Sequence, residues 1–121
     1  MPSVPDRVAA FADASIGPDE ARATLAVAEL ERLCRGHFPG DPIVPGAYVA
    51  GLMAELGVRL LEARGERRRL ARLERCAFHA PLRPVGNVTM RAVVHDGDPG
   101  AVEVEVRHAG RVVARGRMRF A

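Results

Sequence analysis

Lysine is absent from this chain: all 18 basic residues are arginine. With abundant Ala and Val and only two Ile, that absence reads as GC-rich codon usage and carries no functional weight. Aromatic residues make up 4%, and no recognition motif accompanies the arginines, so nothing here points to nucleic-acid binding. The two cysteines, Cys34 and Cys76, show neither metal-ligand spacing nor a disulfide framework and read as reduced thiols. His79, His95 and His108 add no convincing metal site. No basic-then-apolar leader opens the chain, and a cytoplasmic location is expected. The longest apolar run is too short, and too charged at its end, to span a membrane. Internal repeats and low-complexity segments are missing as well.

What is present suits one globular unit. The chain has 121 residues, 48% of them hydrophobic. That is enough for one core and not two, so residues 1–121 read as a single domain. The formal charge is +3. Six arginines crowd between Arg64 and Arg75. The plain reading is a solvated helix end with cations at its negative dipole pole. The functional alternative is a docking patch for an acidic partner or for phosphate groups.

Pro39, Pro42 and Pro45 recur at every third position. Each proline fixes its own φ and bars the residue before it from helical geometry, so this loop is stiff and extended. From Ala47 to Ala63 the residues are mostly apolar, which predicts a helix buried on nearly every side, capped near Gly65. The loop therefore carries His37 toward a helix N-terminus, where free amides and the positive dipole pole lie.

The remainder reads as strands. Asp6 to Ile16 is a candidate, and Gly17-Pro18-Asp19 is a turn signal. Ala21 to Ala28 alternates as a half-buried strand, and Glu29 to Gly36 is a short helical or irregular lead into the loop. Leu70 to His79 and Val88 to His95 are further strands, the second closed by the turn cluster Asp96 to Gly100. Val102, Val104 and Val106 alternate with Glu103, Glu105 and Arg107. After a turn at Ala109-Gly110, Val112, Ala114, Met118 and Phe120 alternate with Arg115, Arg117 and Arg119. These last two runs predict a hairpin with one wet face. Several antiparallel strands with one long helix make an α+β domain whose sheet wraps the helix.

The stretch from Gly36 to Gly46, G-H-F-P-G-D-P-I-V-P-G, resembles the signature of hot-dog-fold 3-hydroxyacyl-[acyl-carrier-protein] dehydratases, which reads approximately G-H-F-P-G-x-P-x-M-P-G. Val44 stands where that family carries Met. Phe78 to Pro84 is similar to the family's F-x-x-P-V-x-P segment, and the likeness runs from about residue 20 to residue 121. The resemblance implies a hot-dog fold, an antiparallel sheet wrapped around one long central helix. It also implies a lyase of fatty acid or polyketide-type biosynthesis, without cofactor or metal, whose substrate rides on acyl-carrier protein or coenzyme A. Neither nucleic acid nor membrane is an expected partner. A dimer is expected, with each site shared between two subunits.

Eliminating water from a 3-hydroxyacyl thioester needs a base, an acid for the departing hydroxyl, and a donor to the thioester oxygen. His37 suits the base, since imidazole titrates near working pH. Amides at Gly46 and the helix start suit the oxygen, and the resemblance credits a glycine at this position with that role. The resemblance also places a Glu, or an Asp in a sister group, where this chain has Gly51. Glycine donates no proton. Glu55 lies one turn further along the same face, about 6 Å up the axis, and helical side chains lean back toward the N-terminus. Carboxyls held in apolar surroundings can stay protonated and act as acids, which makes Glu55 a candidate. Two alternatives stay open: a homologous hot-dog subunit that keeps the helix carboxylate completes this half-site in a heterodimer, or the chain has lost elimination chemistry; the assembly expected is accordingly a homodimer or a heterodimer with another hot-dog subunit. Gly46, Tyr48, Gly51 and Leu52 are the candidate substrate-lining residues. Leu52, Met53 and Leu56 could line an acyl tunnel, but plain core is the commoner role of apolar helix residues. Cys34 suits core filler better than a thiol–imidazole pair with His37. A thioesterase on the same fold is a weaker alternative.

Overall fold

The computed structural model describes residues 11–35, 40–95 and 97–121. Strands β1 (Phe11–Ile16) and β2 (Glu20–Leu25) lead into helix α1 (Val27–Cys34) and the long helix α2 (Gly46–Ala63). Strands β3 (Leu70–Phe78), β4 (Val88–Val94), β5 (Ala101–His108) and β6 (Arg111–Phe120) follow. The described strands form one antiparallel sheet in the order β1-β2-β4-β5-β6-β3. Helix α2 touches every strand of it. This is the hot-dog arrangement, a sheet wrapped around one helix. Of the strand expected over Asp6 to Ile16, the part before Phe11 lies outside the described residues, as does His37 with the start of its loop.

Alternation builds the sheet's two faces. On β5, Val102, Val104 and Val106 are buried under α2 while Glu103 and Arg107 face water. On β6, Ala114, Met118 and Phe120 are buried, and Arg115 is exposed. A register shift between Val106 and Arg107 moves the inward set, so Val113 is buried as well and Val112 only half-buried. The hairpin turns at Ala109 and Gly110, both at positive φ (53° and 82°), the twist that suits a tight hairpin.

Three expectations need correction. The strand beginning near Ala21 does not reach Ala28. The period changes at Val27, where Leu30 and Cys34, an i,i+4 pair, bury the inner face of α1. The arginine cluster is not one helix end: Arg64 caps α2, Arg67 to Arg69 lie in the connection, and Arg72 and Arg75 are on β3. Helix α2 is also not buried all round. Val49, Met53, Leu56, Leu60 and Leu61 face the sheet, but Gly46, Ala47, Tyr48 and Gly51 are exposed in the single protomer. Its C-terminus closes as expected. Gly65 at φ 81° lets its own amide reach Glu62 O (2.9 Å) and that of Glu66 reach Leu61 O (2.9 Å), a Schellman pair of bonds. Among the described residues no helix is long and apolar enough to cross a membrane.

Helix and sheet meet closely at Gly57. A Cβ there would lie 2.7 Å from Cζ of Phe120, itself only 1% exposed. The glycine is what lets the largest fully buried side chain reach the helix backbone. Gly51, nearly two turns earlier, is the opposite case: among the described residues nothing lies within 4 Å of a built Cβ. The same substitution should therefore have opposite signs on one helix. Gly57→Ala overpacks a closed contact and should lose about 1–2 kcal/mol net. Gly51→Ala should gain about 0.5–1 kcal/mol from helix propensity. Urea unfolding of the two variants beside the parent measures both.

On the outer face, Glu74 of β3 accepts from Arg119 Nε (2.8 Å), Arg117 Nε (3.1 Å) and Arg72 Nη2 (3.1 Å). These bonds, that of Arg119 foremost, hold its carboxyl at about 2, below its ordinary 4.5. A depressed carboxylate contributes stability that is present above the ordinary value and is lost as pH falls through the folded one. The edge strand β3 should therefore loosen between about pH 4.5 and 2. Glu74→Gln should flatten that part of a thermal-unfolding pH series.

Candidate functional site

The site begins at the N-terminus of α2. Pro45 precedes the first helical residue in extended geometry, and no side chain caps this end. The amides of Tyr48 and Val49 donate back to Pro45 O at 2.9 and 3.1 Å. No acidic residue lies in the first turn, so the helix's positive pole is not offset there by a local carboxylate. Gly46 is exposed. Two ring carbons of Phe78 lie 3.4 Å from where its Cβ would stand. A larger side chain at 46 would press on that ring and cover the amide.

Beside this terminus lies an open groove of about 450 Å³, walled by Val44, Gly46, Val49, Phe78, His79 and Leu82 among others. Among the described residues its lining is apolar except for His79, whose amide donates to Val113 O at 2.7 Å. Nothing in the sequence set His79 apart. Phe78 brings it here by packing on Gly46, and a contact between such distant positions leaves no local pattern. A smaller depression of about 300 Å³ lies on the outer face among charged residues, Arg22, Arg91 and Glu105 included. It does not involve α2.

The remaining expected site residues fall on one stripe of α2. Tyr48 is 43% exposed, Gly51 is open, and Leu52 and Glu55 are half-buried. Glu55 does not sit in purely apolar surroundings. Its Oε2 accepts from Arg59 Nε at 3.2 Å, and the guanidinium carbon of Arg59 lies 4.8 Å from the centroid of the Phe11 ring. Glu before Arg at i,i+4 is the favoured orientation for such a pair. Met53 and Leu56, candidates for a tunnel, are 0% exposed and belong to the core. Cys34 is buried, and burial pushes its thiol up from the ordinary value, against a thiolate role. Among the described residues no cluster of His, Cys, Asp or Glu could hold a metal ion.

Comparison with known proteins places this geometry in a family. A family model described as ApeI-like, ApeI dehydratase, matches residues 13–117. The chain is 31% identical over 98 residues to the 3-hydroxyacyl-[acyl-carrier-protein] dehydratase FabZ of Caldicellulosiruptor saccharolyticus, covering 75% of this chain and 69% of that protein. It is 30% identical over 87 residues to the FabZ of Bacillus subtilis, covering 72% of this chain and 56% of that one. Among solved structures, the dehydratase heterocomplex ApeI:P from Xenorhabdus doucetiae superposes with a TM-score of 0.75 at 20% identity. That match covers 92% of this chain and 96% of that one, and it bears on the fold.

The half-buried pair on α2 gives a test of local energetics. Side-chain exposures of 16% for Glu55 and 20% for Arg59 put it between surface and core. A double-mutant cycle with Glu55→Gln and Arg59→Met in urea should return a coupling of about 1 kcal/mol, above the 0.3–0.5 kcal/mol of open helical pairs.

Proposed function

This chain belongs to the ApeI-like dehydratase family, and we propose that it acts on 3-hydroxyacyl thioesters carried by acyl-carrier protein, in fatty acid or polyketide-type biosynthesis. The observation that carries the reading is the uncapped N-terminus of α2 at Gly46, open to an apolar groove. A thioester carbonyl oxygen placed there would accept from the Gly46 amide in the field of the helix dipole. His37 would take the proton from the carbon beside the carbonyl. The electron pair would form the new double bond as the carbon–oxygen bond to the hydroxyl breaks. The hydroxyl would leave as water, with a proton from the acid.

Two sources of that acid follow from α2. Glu55 is on the right stripe, with Arg59 bonded to one of its two carboxylate oxygens. A helix carboxylate from a second hot-dog subunit would supply what Gly51 does not carry. The missing side chain at position 51 favours a half-site subunit as the second reading, and the heterocomplex composition of the ApeI:P structure agrees with it. The free edge of β3 is suited to pairing with another subunit: Leu70, Leu73 and Phe78 are 40%, 44% and 49% exposed along it.

Mass spectrometry of water loss from a short 3-hydroxyacyl-acyl-carrier protein tests both readings. Wild type, His37→Ala, Glu55→Gln and Gly51→Glu are run side by side. Activity lost in the first two variants assigns base and acid to this chain. An inactive wild type with gain of activity in Gly51→Glu identifies the missing carboxylate and favours the half-site. Activity retained in His37→Ala would contradict the proposed base.

A further inference from the structure

The described part of the loop ahead of α2, Asp41–Pro45, is gripped from outside by Arg83. Arg83 Nε donates to Asp41 Oδ1 at 3.1 Å, and Arg83 Nη2 to Asp41 Oδ2 at 3.2 Å, a two-bond fork between residues 42 apart in the chain. Beside it the Val44 amide donates to Leu82 O at 2.9 Å. Val44 and Leu82 are 2% and 3% exposed, so this backbone bond is shielded while the fork outside it is wet. Prolines flank both partners: Pro42 and Pro45 in one segment, Pro81 and Pro84 in the other. Neither segment belongs to a helix or strand, so no ladder holds them in register.

We infer that Arg83 is a positioning residue: its fork onto Asp41 latches the Asp41–Pro45 strap onto the Pro81–Val85 segment and so sets the wall of the groove beside Gly46. This rests on the site reading given above, in which His37 precedes the strap in sequence. An isolated surface pair contributes little to stability, and the latch is not needed for folding. Planar two-bond geometry fixes direction as well as distance, which a lysine's point charge does not. Misplacement of about 1 Å at reacting groups costs up to about a hundredfold in rate, so a weak clamp can matter more to turnover than to the fold.

The experiment pairs amide exchange with kinetics on the full chain, with its partner subunit if turnover needs one. In Arg83→Ala the Val44 amide should exchange several-fold faster, while the melting temperature barely moves. For the 3-hydroxyacyl-carrier substrate kcat should fall roughly tenfold with KM nearly unchanged, because the groups affected act in the transition state. Arg83→Lys should be intermediate. The charge swap Asp41→Arg with Arg83→Asp should recover much of the protection that either single change loses. Unchanged Val44 exchange in Arg83→Ala overturns the latch, whatever turnover does. Faster exchange with unchanged kcat leaves a structural clamp and overturns its positioning role. Because exchange needs no substrate, failure of the dehydratase reading would show in turnover alone.

Discussion

The seating of α2 on the sheet is the constraint from which the rest follows. Phe120 fills the space beneath Gly57, and Val102, Val104, Val106 and Met118 complete the bed. Burying each such side chain is worth about 1.5–3 kcal/mol, so the helix cannot shift without opening the core. Its N-terminus is therefore a fixed point. The Phe78 ring against Gly46, the His79 wall and the buried Val44 are all referenced to it.

That fixed point concentrates one sign of electrostatics. No side chain caps the end, no acid lies in its first turn, and the groove beside it is nearly free of charge. In the proposed reading, substrate covering this apolar wall would exclude water and make the amides at Gly46 worth more to a developing negative charge than in open water. The outer face is built on the other principle. There Glu74, Asp98 and Glu103 interleave with Arg72, Arg117 and Arg119 in a wet network. It holds β3 against β6 and leaves the far edge of β3 free. One surface manages charge by pairing it, and the other keeps charge away.

Much of this was legible in the residues. The valine alternation of β5, the apolar run of α2 and the cap at Gly65 all obey local rules, and each appears where its period puts it. The signature loop pointed to the family without help from the fold. What was not legible depends on contacts between distant positions. The switch to helix at Val27 follows Leu30 and Cys34 into the core, against a strand-like alternation that was equally readable. Met53 and Leu56 read as core rather than tunnel on frequency alone, because an apolar side chain does not state which face of a helix meets the sheet. His79 joins the groove only because Phe78 crosses to Gly46. The Glu55–Arg59 spacing was visible, but its place against Phe11 was not.

The account stands on the thioester carbonyl meeting the Gly46 amide, whichever subunit supplies the acid. The most direct measurement is an amide NMR titration of the chain with a 3-hydroxyacyl pantetheine amide, a stable mimic of the thioester. The account predicts the largest and most downfield change at the Gly46 amide, with smaller changes at Val49, Phe78 and His79. Shifts confined to the outer face around Arg22, Arg91 and Glu105, with Gly46 unmoved, would contradict it.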